Sequence, residues 1–192
     1  MTDYDSSLRG TWEADPAHSS FEFIARHAMV TKVRGKFTDF SVTIEADPEN
    51  VEASSVEVRI RVASLDTSND QRDTHLRSED FFNVAQWPEI VFRSTAIEEI
   101  DDDAFTVTGD LTIRDVTKRI TVPVDFTGVS GDPVAKVTRA GFEGGRRLDR
   151  RDFGLEWNVP LDTGGVLVSE KITIEFEVSA VQKSEPTTVT AD

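Results

Sequence analysis

Apolar and polar residues alternate along most of this chain, and this period-two pattern is the feature that most constrains its fold. Neighbouring side chains of a β-strand point to opposite faces, so strict alternation is typical of a strand with one buried face. Turn-forming residues separate the runs at spacings that suit hairpins. We therefore predict an all-β protein with antiparallel strands. The runs lie at residues 19–27, 40–46, 55–62, 90–96, 105–113, 120–126, 136–144 and 172–180.

Eight strands that each have one apolar face must either close into a barrel or pack as two stacked sheets. The apolar positions shift parity between Phe37 and Phe40, which indicates a β-bulge. Gly35, Gly109 and Gly141 lie inside strand-like runs, where the wall of a barrel bends. These two features favour an antiparallel eight-stranded barrel.

Residues 69–82 interrupt the alternation and predict a short helical segment. Ser68, followed three residues later by Gln71, matches a capping box at the start of a helix. Asp73 and Arg77 are four residues apart, so we expect them to pair across one helical turn.

Composition argues against several classes of partner, cysteine-based chemistry and a membrane-spanning segment. The formal net charge of −15 at pH 7 disfavours nucleic acid and anionic membrane surfaces. The absence of cysteine excludes disulfides, thiolate nucleophiles and cysteine metal ligands. No apolar run approaches the roughly 18 residues of a membrane-spanning helix, and the first residues lack a signal-peptide pattern. We therefore expect a cytoplasmic protein with no integral membrane segment.

No phosphate-binding glycine loop, nucleophile elbow or zinc-protease motif is present. The three histidines, His18, His27 and His75, have no familiar metal-ligand spacing, so we expect no metal site. His27, at the end of an apolar face, is either a hydrogen-bonded interior histidine or a ligand contact. The basic island from Arg146 to Asp152 either pairs with neighbouring carboxylates or holds an anionic head group.

Four ordered stretches resemble the YceI-like family of polyisoprenoid-binding proteins. They read WEADPAHSSFEFIARHAMVTKVRGKF, ASLDTSNDQRDTHLRSEDFFNVAQWPEIVF, VTGDLTIRDVTKRITVPV and LDRRDFGLEW. The resemblance implies a lipocalin-like eight-stranded barrel over residues 11–181. We expect residues 1–10 to form a lead-in and the C-terminal residues 182–192, which end in a polar, unpatterned stretch, to form a flexible tail. It also implies an apolar tunnel that holds an isoprenoid chain, such as a polyprenyl diphosphate or a quinone tail.

Under this resemblance, bulky residues on the inward strand faces line the tunnel. These candidates are Phe21, Phe23, Phe37, Phe40, Phe92, Leu111, Phe126, Phe142 and Phe176. The helical segment would form a lid or mouth whose polar residues contact a head group, or its charges would simply fasten the helix to the barrel. The mouth candidates are His27, Arg72, Asp73, His75, Leu76, Phe81, Phe82, Lys118, Arg146 and Arg150.

The function expected from these observations is non-enzymatic binding of an isoprenoid lipid by a carrier, storage or sequestering protein. No cofactor is expected besides the bound lipid, and the small hydrophobic ligand is the main partner, with a homodimer left open. Two alternatives stand beside this expectation. One is a barrel enzyme that acts on a shielded lipid with His27 or His75 as base, and the other is a ligand-free stress-response interaction module.

Overall fold

The computed structural model of the chain describes residues 6–101 and 103–183. Within these residues the chain forms β-strands, one α-helix named α1 (Asp70–Arg77), and short 3₁₀-helical turns. The strands are β1 (Gly10–Ala14), β2 (Ser20–His27), β3 (Thr31–Phe37), β4 (Phe40–Ala46), β5 (Ser55–Arg61), β6 (Leu65–Asp66), β7 (Glu89–Asp101), β8 (Ala104–Ile113), β9 (Val116–Asp132), β10 (Val137–Asp149) and β11 (Lys171–Gln182). The 3₁₀ turns are Ser6–Leu8, Pro16–His18, Val51–Ala53, Val62–Ser64 and Arg150–Phe153.

Eight of these strands form a closed antiparallel circuit. The order is β1, β4, β5, β7, β8, β9, β10, β11 and back to β1. β1 closes the circuit, because Trp12 pairs with Ile44 of β4 on one side and with Gln182 of β11 on the other. The predicted eight-stranded antiparallel barrel is confirmed.

The strands β2, β3 and β6 lengthen the wall of this barrel. β2 continues the line of β1, since β11 pairs first with β2 and then, further along, with β1. In the same way β3 precedes β4 and pairs with β2, and β6 follows β5 and pairs with β3. Alternation alone predicts β2 but misses β1 and β6, whose five and two residues are too short to show a period. It also misses β3, where Gly35 interrupts the apolar positions between Val33 and Phe37.

The parity shift between Phe37 and Phe40 coincides with the connection between β3 and β4. β3 ends at Phe37 and β4 begins at Phe40. Thr38 and Asp39 between them lie outside the strands, so both aromatic residues are buried despite their odd spacing.

Two of the three predicted glycine bends coincide with irregular pairing. The register between β10 and β9 shifts between Gly141 and Phe142. On β7, the register shifts just after Ser94, the residue that pairs with Gly109 of β8. Around Gly35 the pairing of β3 with β2 is regular. The bend predicted there stays a prediction, and this glycine has another feature, described below.

The predicted helix is confirmed as α1, but its cap differs from the prediction. Asn69 is the N-cap residue, and its side chain accepts a hydrogen bond from the Arg72 backbone N–H at 2.9 Å. Ser68 has a φ of 59° and is not the cap, so the predicted capping box is wrong. The cap lies one residue later, and Arg72 stands where a capping box has Glu or Gln. Regular helix ends at Arg77, and residues 78–82 form bends and turns.

The predicted pair of Asp73 with Arg77 is wrong, because both side chains fasten the helix to the preceding strand region. Asp73 is buried and accepts hydrogen bonds from the backbone N–H and the hydroxyl of Thr67. Arg77 donates to the carbonyls of Ala63 and Leu65.

The interior divides into two clusters along the barrel axis. The larger cluster includes Val62, Leu65 and Phe153 and lies towards the helical end, which carries α1 and residues 150–170. The smaller cluster surrounds Trp12, which is fully buried, towards the opposite end, which carries residues 47–54 and the β7–β8 and β9–β10 turns.

The predicted domain boundaries stay predictions. β1 begins at Gly10 and β11 ends at Gln182. Residues 1–5 and 184–192, which contain half of the predicted lead-in and most of the predicted tail, lie outside the described residues. No helix within the described ranges is long and apolar enough to cross a bilayer.

Candidate functional site

The barrel encloses an apolar cavity of about 300 Å³. Its wall is the inward face of the strands, where alternation places residues such as Val42, Val58, Val107 and Val122. A water-sized group needs roughly 10–15 Å³ of such space, so the cavity holds about 20 to 30 carbon-sized groups, or four to six five-carbon isoprene units. The site can therefore shelter an extended hydrocarbon.

Most of the predicted tunnel residues lie on the cavity wall. Those on the wall are Phe21, Phe23, Phe37, Phe92, Leu111, Phe142 and Phe176. Phe40 and Phe126 do not line the cavity. Phe40 packs its ring edge-on against Phe21, with centroids 4.8 Å apart, and Phe126 packs against Phe142 at 5.5 Å. Both therefore support wall residues from behind. Their roles as ligand contacts stay predictions.

The helical end of the cavity is closed by apolar side chains. Phe81 is 4% exposed, Phe153 is 2% exposed and Leu155 is 5% exposed, and all three lie on the cavity wall. Leu76 and Phe82 lie on the wall beside them. The segment that the sequence places at a mouth therefore forms a sealed floor.

Arg150 is the polar feature of this floor. Its residue exposure is 5%, and it lies on the cavity wall. Its three guanidinium nitrogens each donate one hydrogen bond to a backbone carbonyl, on Leu155, Val168 and Ser169. A guanidinium has five N–H groups, so these bonds leave two N–H groups over. Burial lowers the pKa of the Arg150 guanidinium.

The neighbouring Arg151 belongs to the outer surface. It contacts Asp149 at 2.7 Å and Glu170 at 3.0 Å. Hydrogen bonds from Arg151, and then from Lys171, hold the pKa of Asp149 well below its usual range. The basic island therefore contains one buried arginine that faces the cavity and one surface arginine that pairs with carboxylates.

Arg72 and Asp73 fasten the helix and do not reach the cavity wall. Arg72 donates to the hydroxyl of Thr67 at 2.7 Å and to its carbonyl at 2.8 Å. Asp73 accepts from the same residue. Of the two roles that the sequence left open, the geometry agrees with fastening.

The remaining mouth candidates also lie off the cavity wall. His27 is exposed, and its backbone bridges to Val168. His75 Nε2 lies 2.8 Å from the Asp80 carboxylate, and its ring packs edge-on against Phe81 and Trp157. Lys118 is exposed on β9, and Arg146 donates to the Thr121 carbonyl. As head-group contacts these four stay predictions.

The opposite end of the cavity has a more accessible rim. Asp47, Pro48, Val51 and Ser54, from the β4–β5 connection, line the cavity there and are half-buried. Since the floor residues at the helical end are almost fully buried, this rim offers the easier route for a guest.

Sequence analysis missed several residues of this site. Phe153, Leu155 and Val168 line the floor but lie outside regular strands, where alternation carries no information. The signal available for two of them was the presence of the apolar residues Phe153 and Leu155 within four residues of Arg151. No three His, Asp or Glu side chains within residues 6–101 and 103–183 converge in a way that could hold a metal ion.

A closed antiparallel barrel around an apolar cavity defines a protein of the lipocalin-like barrel class. The chain belongs to the YceI-like family, because the YceI-like domain model matches residues 12–180. A UPF0312 protein of Staphylococcus aureus strain bovine RF122 / ET3-1 is 37% identical over 166 residues, which cover 86% of this chain and 93% of that protein.

Solved structures show the same architecture. BcnA of Burkholderia cenocepacia superposes with a TM-score of 0.74 at 25% identity, covering 86% of this chain and 98% of that chain. The YCEI protein of Campylobacter jejuni gives a TM-score of 0.71 at 31% identity, over 83% of this chain and 90% of that one. A polyisoprenoid binding domain from Saccharophagus degradans gives a TM-score of 0.70 at 15% identity, over 91% of this chain and 99% of that one.

Proposed function

We propose that this protein binds an isoprenoid-type lipid inside its barrel and acts as a carrier, store or sequestering protein, without catalysis and without a cofactor. The observation that carries the proposal is the enclosed cavity of about 300 Å³ with an almost wholly hydrocarbon wall. The name of the Saccharophagus degradans domain, which describes polyisoprenoid binding, supports the class of guest.

The size of the cavity predicts a modest affinity for its hydrocarbon guest. A guest of about 20 to 30 buried carbons, at about 0.3 kcal/mol per atom, gains roughly 6 to 9 kcal/mol. This free energy corresponds to dissociation constants from tens of micromolar to a few tenths of a micromolar. Such affinities suit a protein that must also release its cargo.

The charge on the cavity wall favours one of the two head groups that the sequence left open. Among the described residues that line the cavity, Arg150 is the cation, while Glu22, Asp47 and Glu175 are carboxylates. A diphosphate would bring several negative charges to one guanidinium whose N–H groups are partly used. A quinone carbonyl needs only the two N–H groups that are left over. We therefore propose a quinone-type head group beside Arg150.

Native mass spectrometry of the purified protein, followed by organic extraction and mass analysis, tests the proposal. We expect a species heavier than the polypeptide by the mass of a hydrophobic guest, and an extracted compound with repeating five-carbon units. Expression in two hosts distinguishes a selected guest from whatever lipid is abundant. Polypeptide mass alone from both hosts, together with failure of the delipidated protein to bind an added prenyl quinone, would contradict the proposal.

The head-group assignment has its own comparison. The delipidated protein is titrated with a prenyl quinone and with a prenyl diphosphate of equal chain length. Tighter binding of the quinone is expected. Tighter binding of the diphosphate would contradict the proposed quinone head group, but it would agree with the barrel cavity as the lipid-binding site.

A further inference from the structure

Three phenylalanine rings of the cavity wall lie across glycines of a neighbouring strand. A Cβ atom built on Gly35 would lie 2.3 Å from Cζ of Phe23, and one on Gly109 would lie 2.5 Å from Cζ of Phe92. A Cβ atom on Gly144 would lie 2.7 Å from Cζ of Phe176. In each case the tip of the ring occupies the space that a side chain would take.

The strand register explains this arrangement. Phe23 pairs directly with Gly35 across β2 and β3, and Phe176 pairs directly with Gly144 across β11 and β10. Paired residues share a face of the wall, so Gly35 and Gly144 lie on the inner face beside their rings. Gly109 lies two residues before Leu111, the residue that pairs with Phe92, so it is on the same face as a diagonal neighbour of the ring. All three rings line the cavity: Phe23 and Phe176 lie on the neighbouring strands β2 and β11, and Phe92 lies on β7.

Because glycine has no side chain beyond hydrogen, these three positions leave room for the rings and keep the lumen open. Carbon atoms in contact lie about 3.5 to 4.0 Å apart, so a methyl group at these glycines would force each ring about 1 Å towards the cavity axis, or into another rotamer that projects inwards. Because the interior is close-packed, a displaced ring takes its space from the cavity.

We propose that the three phenylalanine-over-glycine pairs set the size of the guest, by laying bulky rings along the wall instead of across the lumen. The inference rests on the proposed function, since it assigns a selecting role to the wall of the same cavity. It predicts that the longest accepted chain depends on glycine at positions that make no contact with the guest.

Gly35 offers the cleanest test of the three. The three atoms nearest to a Cβ at this position all belong to the ring of Phe23, which can move. At Gly109 and Gly144 the added atom would also lie 2.4 Å and 2.5 Å from backbone carbonyl oxygens, so those substitutions would disturb the sheet itself. Gly131 is a matched control, because its added Cβ meets nothing within 4 Å.

The experiment uses the delipidated full chain and two probes, all-trans prenyl alcohols with three and with five isoprene units, titrated by native mass spectrometry. The three-unit probe leaves part of the cavity empty, whereas the five-unit probe fills it. We expect Gly35→Ala to weaken binding of the five-unit probe by about tenfold, equivalent to about two methylene-sized groups. Binding of the three-unit probe should change by less than about twofold, and Gly131→Ala should behave as wild type.

A second variant separates selection from loss of fold. Phe23→Leu removes the ring, so the double variant Gly35→Ala/Phe23→Leu should regain binding of the five-unit probe. Equal loss for both probes, or no recovery in the double variant, would overturn the inference. Failure of the wild-type protein to bind either probe would instead contradict the proposed function.

Discussion

Replacement of Arg150 by methionine tests the role of the buried guanidinium in closing the helical end. The perturbation removes three hydrogen bonds to carbonyls within residues 155–169 and fills a similar volume with hydrocarbon. Of these carbonyls, Val168 keeps a second donor, the side-chain amide of Asn158 at 2.7 Å. The carbonyls of Leu155 and Ser169 lose the Arg150 donors.

The magnitude follows from these two carbonyls. A buried acceptor left without a donor costs about 1 to 3 kcal/mol, so we expect a loss of about 4 kcal/mol in the free energy of unfolding. Removing a buried charge returns part of its desolvation cost. That gain is large only when the partners of the charge are removed as well, and here the carbonyls remain. For a chain of this length, the loss corresponds to a melting temperature lower by roughly 8 to 16 °C.

The assay is thermal unfolding followed by circular dichroism, with Arg151→Met as the matched control. Arg151 makes surface ion pairs, which contribute about 0 to 1 kcal/mol each, so its replacement should lower the melting temperature by only a few degrees. If the two variants unfold at the same temperature, the three hydrogen bonds of the buried Arg150 guanidinium do not stabilise the helical end of the barrel.

Two further predictions concern the opposite end and the outer wall. Trp12→Ala should cost about 3 to 5 kcal/mol in urea unfolding, because Trp12 is fully buried and its Nε1–H donates to the Leu8 carbonyl at 2.7 Å; a cost below about 1 kcal/mol would contradict this. The hydrogen bond with His18, and then that from Arg139, lowers the pKa of Asp15 to about 2. The folded pKa lies below the unfolded value of about 3.9, so Asp15 contributes stability above about pH 4 that is lost as the pH falls towards about 2. Wild type should therefore exceed Asp15→Asn in melting temperature at pH 6, and this difference should shrink below pH 4; a constant difference would refute the assignment.

Strand periodicity predicts the wall of the barrel well, because the inward or outward direction of a strand residue depends only on parity. Phe21 and Phe23, for example, lie on the cavity wall as the pattern indicates. Phe40 shows the limit of this reasoning. It has the inward parity and is buried, but it packs behind Phe21, and only three-dimensional packing decides which of two buried rings touches the cavity.

Polar residues outside the strands could not be assigned from the sequence. Arg150 and Arg151 are adjacent and chemically identical, yet the 3₁₀ turn at Arg150–Phe153 buries one and exposes the other. The spacing of Asp73 and Arg77 predicts an ion pair within the helix. In the structure, the backbone N–H of Thr67, six residues earlier than Asp73, donates hydrogen bonds to both oxygens of the Asp73 carboxylate. Local spacing cannot reveal these choices, since loop conformation determines them.

A crystal structure of the protein as purified shows whether the barrel holds a lipid chain. We expect elongated electron density inside the barrel, in contact with the rings of Phe23, Phe92 and Phe176, with its polar end beside Arg150. A lumen filled by the protein's own side chains, with no space for a chain of several isoprene units, would contradict this expectation.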